Sequence, residues 1–244
     1  MNIKTSITNI TSEGKEIVSC NNLEELISQK SFSEVIFLLL LGKLPNEKEL
    51  KMWNALLVAP IDHGPAVASA LTARISASAK NSMHTSLAAG LLGLGDRHGL
   101  AIESAMKFFQ ENIDVENLSE LLKKMKEQKK YAPGFGHRVL TIDTRAQTLL
   151  TVAKENGFYG KHCEFALKVH QELNVISSKP LPLNIDGAMG AILSDMGVDP
   201  RLSKGIFMIA RVPGLVAHIY EEMVNDQGIR RLEESEVEFV EGSI

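Results

Sequence analysis

Apolar residues recur at helical spacing along almost the whole chain, and that periodicity constrains the fold more than any other feature. Leu23, Leu26 and Ile27 form one stripe; Val35, Ile36, Leu39 and Leu40 form the next, closed by Gly42 and Pro45. Asn46 is placed to cap a helix running through Leu50, Trp53, Leu56 and Leu57. After a break at residues 60–65, AVASALTARISASA and then SLAAGLLGLG read as helices of small residues, dense enough to let helix backbones approach closely. An amphipathic segment from Asp96 to about Phe109, a lysine-rich helix over 117–130, and helices over 143–156 and 161–174 follow. Pro133–Gly136 is a loop, as is the stretch from Pro180 and Pro182 to NIDG. The last long helix is expected from Ser203 to Asn225, followed by an extended acidic tail. Only residues 3–19 carry β-type runs, around Ser12–Glu13–Gly14, which predicts one small hairpin. The chain reads as nearly all-α.

Composition supports this and narrows the partners. Aromatic residues make up 5% of the 244 residues, so Ala and Leu carry the core, which favours helix over strand. A net charge of −4 argues against a general nucleic-acid binder, but it allows a locally basic site for anionic small molecules. Cys20 and Cys163 make neither a disulfide framework nor a metal spacing, so the expectation is a reduced, cytoplasmic setting. The N-terminus has no apolar signal core, and the run Val35–Leu41 is far shorter than the roughly 20 residues of a membrane helix. No membrane partner is expected.

The residues suited to chemistry collect at four loops or helix ends: DHGPA (62–66), GDRHG (95–99), PGFGHRV (133–139) with DTR (143–145), and NIDG (184–187). Arg211 in ARVPG and the pair Arg230–Arg231 add cations near the end. Singly, each has an ordinary reading. An Asp before Gly makes a turn or a cap, and His84, His162, His170 and His218 are read as structural. Neighbouring Asp62 and His63 cannot easily share a metal ion, so no metal is expected.

In this order and context, PGFGHRV, D-x-R, N-x-DG and ARVPG-x-x-AH resemble the citrate synthase family. More narrowly, they resemble the citryl-CoA lyase module at the C-terminus of ATP-citrate lyase, from about Ile17 to Arg231. The resemblance implies a helical fold with a large, dimer-forming lobe (1–99 and 200–244) and a small, CoA-binding lobe (100–199), facing each other across a cleft. It implies that His137 acts on the substrate's carbonyl or tertiary hydroxyl oxygen. Asp186 moves the proton of the acetyl carbon, and His98 stabilises the enol. His98 is the synthase-like residue in a lyase-like GDR context. His63, Arg145, Arg211 and Arg231 would hold the dicarboxylate, with Arg231 donated by a neighbouring subunit and Arg230 as its fallback. Gly134, Phe135 and Gly136 would lie along CoA. Among Lys123, Lys124, Lys126, Lys129 and Lys130, which otherwise read as a solvated face, Lys126 is chosen with Arg138 for the CoA phosphates, and Lys130 stands behind them.

The activity implied is cleavage of citryl-CoA to acetyl-CoA and oxaloacetate. Two alternatives remain open: a short citrate synthase that also hydrolyses the thioester, and a CoA-binding subunit of a split ATP-citrate lyase. No permanently bound cofactor is implied, since the coenzyme A thioester is substrate. The partners implied are a second copy of the chain and, for the split enzyme, a citryl-CoA synthetase.

Overall fold

The computed structural model describes residues 2–137 and 141–242. A small antiparallel sheet opens the chain: β1 (Thr8–Ile10), β2 (Glu16–Val18) and β3 (Asn21–Asn22), with Asn9 opposite Ile17 and Ile17 opposite Asn22. Its first turn closes where expected, with Gly14 in the left-handed region at φ 79° and its N–H donating to Thr11 O at 2.9 Å. The third strand is an addition to the hairpin that the sequence suggests.

Eleven α-helices follow among the described residues: α1 (Leu23–Gln29), α2 (Phe32–Leu41), α3 (Glu47–Val58), α4 (Ala68–Ser78), α5 (Met83–Leu92), α6 (Ile102–Asn112), α7 (Leu118–Glu127), α8 (Thr144–Asn156), α9 (Lys161–Ile176), α10 (Ile185–Asp195) and α11 (Pro200–Asn225). The architecture is therefore the helical one expected. Local chemistry fixes several ends. Ser31 and Asn46 each form a reciprocal capping box with the Glu three residues on, and Gly42 ends α2 at φ 75°.

Two expectations about these elements are corrected. Residues 95–99 do not begin α6; they make a tight turn in which the backbones of Gly95 and His98 exchange hydrogen bonds of 2.9 and 2.8 Å. NIDG is not a loop but the start of α10, because the Asn184 side chain accepts from Gly187 N and caps the helix. The sequence reading missed α10 because glycines and small residues dilute its period.

Internal contacts divide the chain into two compact units, Met1–Pro60 with Ala101–Phe207 and Ile61–Leu100 with Met208–Ile244. Residues 1–60 thus group with 101–207, as α3 packs on α8. In the first unit α10 lies against α6, α8 and α9, and Ala188, Met189, Ala191, Ile192 and Leu193 are wholly buried. In the second unit α4 and α5 pack through small residues: a Cβ on Gly90 would stand 3.0 Å from that of Ala73. Leu215 and Ile219 of α11 complete that core.

By length and composition α11 could cross a membrane, although charged residues interrupt its apolar run. It also carries the buried side chains of Arg211 and Glu222 and sends Ile206, Phe207, Leu215 and Ile219 into protein cores. That is the pattern of a core helix.

Candidate functional site

In the first unit the GFGH loop and the start of α10 are joined by a backbone seam. Gly136 N donates to Pro182 O at 2.8 Å, Asn184 N donates to Gly134 O at 3.0 Å, and the Asn184 side-chain amide donates to Gly136 O at 2.9 Å. Phe135 and Leu183 pair as an antiparallel bridge. Three conditions make the seam specific to glycine. Gly134 and Gly136 have φ of 86° and 89°. A Cβ on Gly134 would stand 2.6 Å from Gly187 Cα, and a Cβ on Gly187 would stand 2.3 Å from Gly134 O. His137 is the residue after Gly136 and Asp186 the residue before Gly187. The residues expected as base and acid thus each adjoin a glycine of the seam, within one unit.

Asp143 ties Arg145 to the same place. Its buried carboxylate caps α8, accepts from Arg145 Nε at 2.9 Å and Nη2 at 2.8 Å, and accepts from Ile185 N at 3.1 Å. One side chain thus orients the Arg145 guanidinium bidentately and satisfies an N–H at the start of α10. Burial pushes this carboxyl up, but the Arg145 guanidinium, with the N–H groups of Arg145 and Ile185, outweighs burial and holds it below the ordinary carboxylate range. Behind Asp143 lies a cavity of about 110 Å³ lined largely by apolar side chains, including Leu150, Leu167 and Leu183, together with His170.

The residues expected along CoA divide. The Phe135 ring packs edge-to-face on Phe109 at 6.0 Å and anchors the loop to the core, so a ligand would meet this residue's backbone. Lys126 donates to Ile176 O at 2.7 Å, a cation on the last carbonyl of α9. It has this structural task whether or not it meets phosphate. Lys130 is exposed just past α7, and Arg138 lies outside the described residues.

The second unit holds His63, His98, Arg211 and Arg231. The 95–99 turn presents His98, whose Nε2 shares a 2.9 Å hydrogen bond with the buried hydroxyl of Ser69. Burial and then the nearby charge of Arg211 push the His98 imidazole down, favouring the neutral ring. With Nε2 on Ser69, Nδ1 is the nitrogen suited to a substrate oxygen. Arg211 is buried on α11. His63 is exposed in a loop held on both sides: Asp62 Oδ2 accepts from Gly64 N at 2.9 Å, and Asp62 Oδ1 pairs with His218 Nε2, also at 2.9 Å. Gly214 allows this approach, because a Cβ there would stand 2.2 Å from Ile61 O. Arg231 is exposed, whereas Arg230 is engaged by Glu222 and Ser78.

The sequence reading thus missed Asp143, Asp62, Ser69 and Asn184. Two of them had a signal, an Asp two residues before a selected Arg and an Asn opening N-x-DG.

A family model described as "Citrate synthase, C-terminal domain" matches residues 51–232. Among curated relatives, the chain is 32% identical over 192 residues to citrate synthase 2 of Bacillus subtilis (strain 168), covering 78% of this chain and 51% of that protein. It is 34% identical over 203 residues to ATP-citrate synthase of Mus musculus, covering 75% of this chain and 18% of that protein. The chain therefore spans about half or less of the length of these curated relatives. Among solved structures, citryl-CoA lyase from Hydrogenobacter thermophilus is 42% identical with a TM-score of 0.89, the match covering 99% of this chain and 96% of that one. ATP citrate lyase from Methanothrix soehngenii, solved with citrate and coenzyme A, is 26% identical with a TM-score of 0.87, the match covering 100% of this chain and 42% of that one.

Proposed function

The chain belongs to the citrate synthase family, and on that premise we propose that it is a citryl-CoA lyase, cleaving citryl-CoA to acetyl-CoA and oxaloacetate. The observation that supports this reading is the seam through Gly134, Gly136, Asn184 and Gly187, in which His137 follows one seam glycine and Asp186 precedes another. The full-length likeness to a lyase of similar size supports it.

In the proposed reaction His137 takes the proton of the tertiary hydroxyl as its oxygen becomes the carbonyl of oxaloacetate. The carbon–carbon bond breaks, and its electron pair passes into the thioester to form the acetyl-CoA enolate. A ring N–H of neutral His98, held by Ser69, stabilises the enolate oxygen. Asp186, entering as the protonated acid, returns a proton to the terminal carbon and completes the methyl group. An unperturbed carboxyl, with a pKa of about 3.9, is too weak a base to remove a methyl proton unaided, so the donor to the oxygen is needed in either direction. Arg145, set by Asp143, with Arg211, His63 and a neighbouring subunit's Arg231, takes the carboxylates. CoA lies along 134–136, with Lys130, Lys126 and Arg138 toward its phosphates. Residues 1–99 and 200–244 would form the large, dimer-forming lobe and residues 100–199 the small, CoA-binding lobe.

In this reading coenzyme A enters only as part of the substrate. The enzyme works in the cytoplasm as a homodimer or larger homo-oligomer, and a citryl-CoA synthetase supplies its substrate. Retention of His98 and the likeness to Bacillus citrate synthase 2 favour a second reading, a short synthase. Synthetic citryl-CoA given to the purified protein separates the two. A lyase yields oxaloacetate and acetyl-CoA without citrate; citrate with free CoA establishes the synthase and overturns the lyase.

A further inference from the structure

Resting on that reading, we propose that Asp62, His218, Arg74, Glu222 and Arg230 form one chain of hydrogen bonds and ion pairs whose two ends hold His63, expected on this subunit's dicarboxylate, and Arg231, expected on a neighbouring subunit's. All five lie in the second unit. Asp62 Oδ1 meets His218 Nε2 at 2.9 Å, and His218 Nδ1 meets Arg74 Nη1 at 3.2 Å. Arg74 Nη2 meets Glu222 Oε2 at 2.8 Å, and Glu222 Oε1 meets Arg230 Nε at 2.6 Å. Glu221 is a second carboxylate on Arg74.

Donor chemistry gives the chain a direction. A guanidinium only donates, so His218 Nδ1 must accept from Arg74, and Nε2 then carries the proton that Asp62 receives. His218 is the one member that both donates and accepts. It was read from the sequence as structural, and its tautomer is the link between the two halves.

Burial follows the same order. Side-chain exposure is 40% at Asp62, 15% at His218, 10% at Arg74, 2% at Glu222 and 40% at Arg230, so the chain runs from one open end through a dry middle to the other. A carboxylate as buried as Glu222 is costly unless its charge is met, and here Oε1 accepts a hydrogen bond from Arg230 while Oε2 is met by the Arg74 guanidinium as an ion pair without a hydrogen bond.

The ends are placed for positioning. Asp62 braces the turn that carries His63 between two hydrogen bonds. At the far end Arg230 is pinned twice, its N–H on Ser78 Oγ at 2.9 Å and its side chain on Glu222. Arg231 is next in the chain, exposed, and makes no hydrogen bond or ion pair among the described residues. Arg230 is therefore the anchor and Arg231 the residue presented. Asp62, His218, Arg74, Glu222 and Arg230 are positioning residues.

The test compares His218→Leu, His218→Gln, Glu222→Gln, Arg230→Gln and the double variant Glu222→Gln/Arg230→Gln with the wild-type protein. It reads KM for citryl-CoA, oxaloacetate affinity by calorimetry, CoA affinity and thermal unfolding. His218→Leu, which removes the central link, is expected to raise KM and weaken oxaloacetate about tenfold while CoA affinity stays unchanged. His218→Gln keeps one donor and one acceptor and is expected to restore most of that loss. The two changes at Glu222 and Arg230 break the same link, so the double variant should be no worse than the worse single one. Arg230 lies at an open end, so its variant reports even where the buried changes cost folding. Lowered unfolding temperatures with wild-type KM and oxaloacetate affinity overturn the chain as a positioning device. A wild-type protein that neither cleaves citryl-CoA nor binds oxaloacetate fails first on the functional reading itself, and takes the positioning role with it.

Discussion

The two units hold their candidate residues in place by different means. In the first, position is set by the main chain: glycines with nowhere to put a Cβ and an Asn side chain that joins two loops. In the second, it is set by side-chain charge, from the Asp62–His218 pair inward to the buried Glu222. A backbone seam permits close approach and little adjustment, so it suits the acid and base that must meet one carbon. A charge chain holds a histidine at one end and a cation at the other, each toward an anionic ligand, and it fails by degrees as links are removed. The contrast implies that changes in the seam are felt in turnover, and changes in the charge chain in dicarboxylate affinity.

The harshest way to break this contrast is Gly187→Ala. Its Cβ would stand 2.3 Å from Gly134 O, so the seam must open. Turnover is expected to fall about a hundredfold or more, with oxaloacetate affinity changed far less. Steady-state kinetics beside calorimetry checks it.

Asp143→Asn comes next. It weakens the fork on Arg145 and keeps an acceptor for Ile185 N, so catalytic efficiency is expected to drop roughly tenfold to a hundredfold. Asp143 also has a pH signature. Its folded carboxyl lies below the ordinary range, so its contribution to stability is present above the unfolded pKa of about 3.9 and lost as pH falls through the folded value. Unfolding measured from pH 6 down to 2 should show wild type losing more of its stability than Asp143→Asn.

A milder probe separates His98 from its support. Ser69→Ala is expected to slow cleavage about threefold to tenfold by freeing the imidazole, and His98→Phe to slow it much more, with binding little altered in both. An unchanged rate in His98→Phe would return that residue to a structural role.

The smallest effect on chemistry is expected from Asp195→Ala. That carboxylate accepts from the backbone N–H groups of Gly160, His162 and Cys163 and joins the start of α9 to the end of α10. Stability should fall by about 2 kcal/mol, seen in denaturant unfolding.

Much of this was legible beforehand, for physical reasons that differ by region. Asn46, Gly42 and Gly14 announce their caps and turn because local backbone chemistry acts over a few residues. The glycines of PGFGH and NIDG mark places where backbone must come close, although the sequence does not say that the partners are each other. Asp143 and Ser69 escaped because their roles are set by contacts distant in sequence, with Ile185 and with His98. α10 escaped because residues such as Gly187 and Gly190, needed for close packing, erase the period by which a helix is recognised. His218 was set aside because a single His in a helix carries no sign of the Asp62 and Arg74 that flank it in space.

The central claim is that Asp186 and His137 are the proton-moving pair of one reaction, and the fate of the proton tests it most directly. Citryl-CoA cleaved in heavy water should give acetyl-CoA with one deuterium in its methyl group, and Asp186→Asn or His137→Ala should abolish that product while CoA still binds. Deuterated acetyl-CoA released by Asp186→Asn at the wild-type rate would contradict the account.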